Sequence, residues 1–275
     1  VPSPNHFPDI NVAGGGFVSV LSSHVLGNSD FYTGAFPAEY GNALAGVFDM
    51  KLREGNTEMR EYTFQAGLLG IDVAAEGPLP GIENSSYLFN YRYSTFALIK
   101  SLIPSEQIPE YTDYAFKIAL PTRKLGKFSI WGIGSSDLNV EPEEADSSLW
   151  TVPWDRVAYD LEMGMNVLGL THKYLATQNT YLKTSVVRTE QHSSMNMYRL
   201  DDALILQDNY LAENKSGTVT LSSYLNTRFS RRHTNRTGVI FDRLNFHFDQ
   251  QAALNNTLPL TRLVDQNDVA NLTQA

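Results

Sequence analysis

The residues best suited to chemistry lie in one stretch near the middle of the chain. The run Glu141–Asp146 is rich in carboxylates, and Trp150 and Trp154 follow it. Carboxylates can bind calcium, and tryptophan rings can stack on a sugar or a siderophore. The alternative is a solvated loop tip, because exposed loops commonly carry such residues. On the first interpretation, Trp150 and Trp154 are candidate ligand-binding residues.

The rest of the chain offers no catalytic or metal-binding pattern. The six histidines are dispersed without ligand spacing, and the absence of cysteine excludes a disulfide or a thiolate metal site. The triplet Gly14–Gly16 is not followed by the Lys-Ser or Lys-Thr pair of a phosphate-binding loop, and no Gly-x-Ser-x-Gly elbow is present. We therefore expect no catalytic residue, no bound metal and no cofactor, and we predict that the protein is not an enzyme.

Charge and hydropathy narrow the possible partners. The net charge is −9 and the basic residues are scattered, which argues against a nucleic-acid partner. The sequence has no run of the roughly 20 apolar residues that a membrane helix needs. The mean hydropathy of −0.25 does not exclude a membrane location, because a membrane β-barrel needs only one apolar face on each strand.

Composition and residue pattern change near residue 55, which predicts two domains, 1–55 and 56–275. The first is rich in proline and glycine, with possible short strands at Phe17–Leu21 and Gly46–Leu52. From residue 60 onward, apolar and polar residues alternate with the period of a β-strand, and we predict about nine strands. The apolar positions of the clearest strands are Tyr62, Phe64, Ala66 and Leu68; Ile71, Val73 and Ala75; Tyr87, Phe89, Tyr91 and Tyr93; Tyr114, Phe116, Ile118 and Leu120; Val219, Leu221, Leu225 and Phe229; and Leu244, Phe246 and Phe248.

The lengths of the strands and of their connections indicate a membrane barrel. Several strands reach about ten residues, close to the 9–11 of a tilted membrane strand. Short turns alternate with long connections, as in outer-membrane barrels. The predicted short turns are Arg123–Gly126, Thr177–Thr180 and Ser230–Asn235, and the predicted long loops are Lys100–Glu110, Ser136–Asp160 and Arg199–Lys215. A water-soluble sandwich or barrel would also alternate, and periodicity alone leaves that alternative open.

The segment Thr33–Arg53 resembles the junction between plug and barrel in TonB-dependent outer-membrane receptors. The matching elements are Gly34, the turn Glu39–Gly41, the small residues Ala43 and Ala45, Gly46, and the strand Val47–Met50. The chain is most similar to the receptors of Bacteroidota that carry a carboxypeptidase-like regulatory domain before the plug. On this resemblance, 1–55 is the second half of the plug and 56–275 is the first part of the barrel. We expect the chain to be a fragment, without the TonB box.

The resemblance implies the protein's activity, location and partners. It implies a receptor in the outer membrane of a Gram-negative cell, which binds a scarce ligand such as a ferric siderophore, cobalamin or a glycan. The TonB complex would drive uptake of that ligand. Membrane lipid and the ligand are then partners, and a surface lipoprotein is a further candidate partner.

The resemblance and the charges of the plug together suggest site residues. By analogy, Asn5, His6 and Phe7 would lie near the apical plug loops and face the ligand. Charged plug residues need partners on the barrel wall, because an unpaired buried charge is costly. We predict plug–barrel contacts for Glu39 and Arg53 of the plug and for Arg92 and Arg243 of the wall.

Two other classes of function remain as alternatives. One is a soluble all-β carbohydrate-binding module, and the other is a β-sandwich glycosidase. A glycosidase would need two carboxylates at a fixed separation, which the sequence alone does not reveal.

Overall fold

The computed structural model describes residues 3–7, 18–34, 36, 40, 46–67, 70–95, 110–254 and 259–274. The described part is built from twelve strands, together with 3-10 turns at Ser147–Leu149 and Pro153–Arg156. The strands are β1 Asp30–Tyr32, β2 Val47–Asp49, β3 Glu61–Ala66, β4 Ile71–Gly77, β5 Ser86–Tyr93, β6 Glu110–Thr122, β7 Gly126–Glu141, β8 Val157–Thr177, β9 Thr180–Leu200, β10 Leu206–Arg228, β11 Thr234–Ala253 and β12 Leu260–Gln274.

Strands β3 to β12 form one antiparallel sheet in which every strand pairs with its neighbours in the sequence. The sheet is open, because β3 and β12 are its two edges. The separate pair β1–β2 joins Asp30–Tyr32 to Val47–Asp49. The prediction of an all-β, antiparallel fold is confirmed. The number of sheet strands is ten rather than about nine, because β12 was not predicted.

The three short turns are where the sequence places them, between β6 and β7, β8 and β9, and β10 and β11. Two of the predicted long loops are wrong in extent. Strand β7 continues to Glu141 and β8 begins at Val157, while only residues 201–205 separate β9 from β10. Backbone pairing continues into both predicted loops, as where Asn139 pairs with Leu161 and Leu211 pairs with Asn196. Most of the third predicted loop lies outside the described residues.

The two faces of the sheet differ in chemistry. Residues opposite each other in an antiparallel pair lie on the same face, and faces alternate along each strand. We call the face that carries Asp72, Asp113 and Asp137 the inner face. The other, outer face carries an apolar belt beside the short turns. Its members are Tyr62, Phe64, Ile71, Val73, Tyr87, Phe89, Tyr91, Tyr114, Phe116, Ile118, Leu120, Phe128, Ile130, Leu168, Leu170, Leu182, Val186, Val219, Leu221, Leu225, Val239 and Phe241.

Most members of the belt are exposed; Phe64, for example, is 69% accessible. On β6 it runs from Tyr114 to Leu120, which corresponds to roughly 20 Å at 3.3–3.4 Å per residue. Among the described residues, no second sheet covers it. The alternative of two packed sheets is therefore not what these strands form.

One predicted strand has its faces reversed. Leu244, Phe246 and Phe248 were expected on the apolar face, but the register sets Leu244 opposite Thr218. Thr218 lies on the inner face with the polar residues of β10. The rings of Phe246 and Phe248 instead contact each other there, with centroids 5.3 Å apart.

Candidate functional site

The candidate site is the interface between the N-terminal region and the inner face of the sheet. We call residues 3–7, 18–27 and 50–55 the docked segment. Backbone hydrogen bonds hold it together, since His6 N donates to Val18 O at 2.8 Å and Gly27 N donates to Lys51 O at 2.7 Å. Isolated bridges join Asn5 to Ser19 and Leu26 to Leu52. The predicted strand Phe17–Leu21 is thus a single bridge in its described part, whereas the predicted strand Gly46–Leu52 contains β2.

An apolar cluster fixes the docked segment to the middle of the inner face. The segment contributes Val20, Leu21 and Val25, all nearly inaccessible to solvent. Four strands complete the cluster, with Leu88 from β5, Ala115 from β6, Ile133 from β7, and Met165 and Val167 from β8. Burying large apolar side chains contributes about 1.5–3 kcal/mol each, so this cluster stabilises the contact between the docked segment and the sheet.

His6 anchors the start of the segment between two carboxylates. Its Nε2 lies 2.8 Å from Asp113 Oδ2 on β6, and its Nδ1 lies 2.5 Å from Asp137 Oδ1 on β7. The backbone N–H of Phe7 donates to the second oxygen of Asp137 at 3.0 Å. His6 is 0% exposed, and its ring packs against that of Tyr111 with centroids 4.3 Å apart.

Burial is the largest single effect on His6 and acts to lower its pKa. The hydrogen bonds and negative charges of Asp113 and Asp137 together outweigh burial, so the pKa of His6 is raised above its ordinary value of 6.5. The histidine is thereby favoured in its charged form where it meets the wall.

Arg92 links the same cluster to a second point on the docked segment. Its Nε donates to Asp113 Oδ2 at 2.8 Å, and its Nη2 donates to the carbonyl oxygen of Ser19. The guanidinium also lies over the Tyr111 ring, 5.6 Å from its centroid. Arg92 therefore makes the contact with the N-terminal region that the sequence suggested.

A third polar contact surrounds Asp72 on β4. Its Oδ2 accepts a hydrogen bond of 2.6 Å from the hydroxyl of Ser22, and its Oδ1 accepts one from the amide of Asn90. Both Asp72 and Asn90 are buried. A buried carboxylate is costly without such donors, so the hydroxyl of Ser22 stabilises Asp72 when the segment is docked.

The end of the docked segment is held by ion pairs. Arg53 donates to both oxygens of Glu76, at 2.7 and 2.6 Å, and this hydrogen bonding raises the pKa of Arg53. Lys127 pairs with Glu54, and Lys117 Nζ donates to Leu52 O at 2.7 Å. Bidentate arginine–carboxylate pairs are among the stronger polar contacts in proteins.

Gly55 closes the interface where the chain leaves it. A Cβ atom at this position would lie 2.0 Å from the carbonyl oxygen of Tyr87 on β5. The next residue, Asn56, donates its backbone N–H to Glu76 Oε2 at 2.7 Å. Only glycine allows this close approach of the two backbones.

The other predicted site residues have different fates. Arg243 lies on the outer face, because it is opposite Val219 in the register, so its predicted contact with the docked segment is wrong. Glu39 lies outside the described residues. Asn5 is partly exposed, but His6 and Phe7 are buried against the wall and do not face a ligand in this arrangement.

Trp150 and Trp154 lie in the loop between β7 and β8, far along the chain from the docked segment. The indole N–H of Trp150 donates to Glu144 O at 2.7 Å, and the Arg156 guanidinium lies 4.8 Å from the centroid of the Trp150 ring. Trp154 is 50% exposed. In the same loop, backbone N–H groups of Thr151 and Val152 lower the pKa of Asp155. The polar groups of Trp150, Arg156 and Asp155 thus make contacts that stabilise the conformation of the loop.

The wall carboxylates Asp72, Asp113, Asp137 and Glu76 were not predicted as site residues. The available signal was an acidic residue at a polar position of an otherwise apolar or aromatic strand, as at Asp113 within Glu110–Thr122. Among the described residues, no group of three or more His, Asp or Glu side chains is arranged to hold a metal ion. No helix in the described ranges is long and apolar enough to cross a membrane.

A scan against protein-family models found no match to the chain, and a search of curated proteins found none either.

Proposed function

We propose that the chain forms the end of the plug and the first wall strands of a TonB-dependent outer-membrane receptor. The receptor binds a scarce ligand, such as a ferric siderophore, cobalamin or a glycan, and imports it with energy supplied through TonB. The docked segment corresponds to the plug, and the ten-stranded sheet corresponds to part of the barrel wall.

The observation that carries the proposal is the contrast between the two faces of the sheet. The apolar belt of the outer face suits acyl chains, because an outer-membrane barrel presents an apolar band about 25 Å tall to lipid. The inner face instead holds buried polar groups under a separate piece of chain. Strands longer than the belt, joined by short turns at its edge, support the same interpretation.

The contacts of the docked segment suit a plug that has to move. Its attachment combines an apolar cluster of moderate size with hydrogen bonds and ion pairs at separate points on β4 to β7. Polar contacts of this kind can exchange for contacts with water when the segment is displaced. Import would then follow rearrangement of the segment rather than covalent chemistry.

Cell fractionation and uptake assays with the full-length protein test the proposal. We expect the protein in the outer-membrane fraction of its native cell. Deleting its gene should abolish uptake of one of the three ligand classes, and a protonophore should abolish that uptake in wild-type cells. Recovery in a soluble fraction would favour a carbohydrate-binding module or glycosidase. Unchanged uptake of all three classes would contradict the assigned transport role.

A further inference from the structure

The contacts of His6 fix the number of protons that its site holds. Both ring nitrogens face a carboxylate oxygen, Nε2 at 2.8 Å and Nδ1 at 2.5 Å. A neutral imidazole carries one N–H, so one of these contacts would set a nitrogen lone pair against a carboxylate. Both contacts are satisfied when the ring carries two N–H groups. The site then holds one proton more than a neutral histidine with two carboxylates.

The charges around His6 lead to the same count. The ionisable groups that face it are Arg92 from β5, Asp113 and Tyr111 from β6, and Asp137 from β7. With neutral Tyr111 and neutral His6, one positive and two negative charges leave a buried net charge of −1. The additional proton makes the cluster neutral. A buried uncompensated charge is costly, so the docked state favours the proton.

From this geometry we propose that the interface of His6 with Asp113 and Asp137 is a proton-binding site, and that the docked segment leaves the wall with release of that proton. Once undocked, His6 is surrounded by water and has its ordinary pKa near 6.5, so above that pH it gives up the proton. The inference rests on the contacts of the docked segment alone. If the chain is a receptor, plug movement carries this proton release with it.

The sign of the pH dependence follows from linkage. The pKa of His6 is raised in the docked state, so its contribution to docking is complete below about pH 6.5. That contribution falls as the pH rises through the raised pKa. Between the two pKa values the opening equilibrium should increase about tenfold per pH unit, the limit for one released proton.

Thiol labelling of the full-length protein in lipid vesicles measures this opening. The 275 residues contain no cysteine, and any cysteine elsewhere in the full-length protein is changed to serine. Val20→Cys then places a single reporter in the apolar cluster, where residue 20 is 1% exposed. Its labelling rate from pH 5.5 to 9 is divided by that of Ala145→Cys, at an exposed loop position, to remove the ionisation of the thiol itself. We expect the normalised rate to be flat below about pH 6.5 and then to rise towards tenfold per unit.

Asp137→Asn is the decisive variant. Its amide oxygen can accept from Phe7 N–H and its amide nitrogen can donate to His6 Nδ1, so every contact is kept with a neutral imidazole and no additional proton. We expect slow labelling with little dependence on pH. His6→Gln should also remove the pH dependence. A flat profile in the otherwise unchanged reporter protein, or the same slope in Asp137→Asn, would overturn the inference, whatever the outcome of the uptake assays.

Discussion

Two adjacent residues of β5 illustrate how the faces of the sheet differ. Phe89 on the outer face is 45% exposed, whereas Asn90 on the inner face is 0% exposed. A sheet with water on its open face and an apolar core behind it has the opposite distribution. The comparison supports the proposal that the outer face meets an apolar surrounding. The polar inner face is covered by the docked segment of the same chain.

Removing the His6 side chain should weaken the attachment of the docked segment to the inner face more than any other change considered. In His6→Ala, Asp113 and Asp137 remain buried without their shared cation, and breaking a buried ion pair costs about 3–5 kcal/mol. The Val20→Cys reporter at pH 6 should therefore label more than a hundredfold faster. The matched control is His24→Ala, since His24 is only partly buried and its ring contacts Gln65 Oε1 at 3.2 Å. Equal effects of the two substitutions would show that the contacts of His6 with Asp113 and Asp137 do not hold the docked segment.

A smaller effect is expected at the exit of the docked segment. In Gly55→Ala the new methyl group meets the carbonyl oxygen of Tyr87, which cannot move without disturbing β5. Overpacking of this kind costs about 1–3 kcal/mol, and it should also loosen the contact of Asn56 with Glu76. Gly34→Ala is the control, because its Cβ would have no neighbour within 4 Å. If Gly55→Ala and Gly34→Ala gave the same labelling rate, the close approach of Gly55 to Tyr87 would be contradicted.

The sequence predicted the strands of the belt well, for a physical reason. Strands β3 to β6 place most of their aromatic and large aliphatic side chains on the outer face, so period two is clear there, although Leu88 and Tyr111 lie on the inner face. Strand β12, Leu260–Gln274, has polar residues on both faces, and periodicity carries no signal for it. The face of Leu244 was mistaken because alternation within one strand does not fix its register against the next.

The site was predictable in part. The resemblance and the charges together singled out Arg53 and Arg92, and each contacts the region opposite its own, Glu76 of the sheet and Ser19 of the docked segment. Their carboxylate partners depend on which strands lie side by side and in what register, and this information is not contained in any single segment. His6 was assigned to a ligand by analogy. Its contacts with Asp113 and Asp137 were missed because these residues lie more than a hundred positions away in the chain.

We propose that the outer face meets lipid, and neighbouring positions on β10 test this proposal most directly. Leu221 belongs to the belt, while Thr220 lies on the inner face and donates to Asp242 Oδ1 at 2.5 Å. In the full-length protein in lipid vesicles, Leu221→Arg should reduce the free energy of unfolding by about 2–4 kcal/mol. Thr220→Arg, whose new charge faces Asp242, should change it by less than about 1 kcal/mol. Equal losses, or a larger loss for Thr220→Arg, would contradict the account.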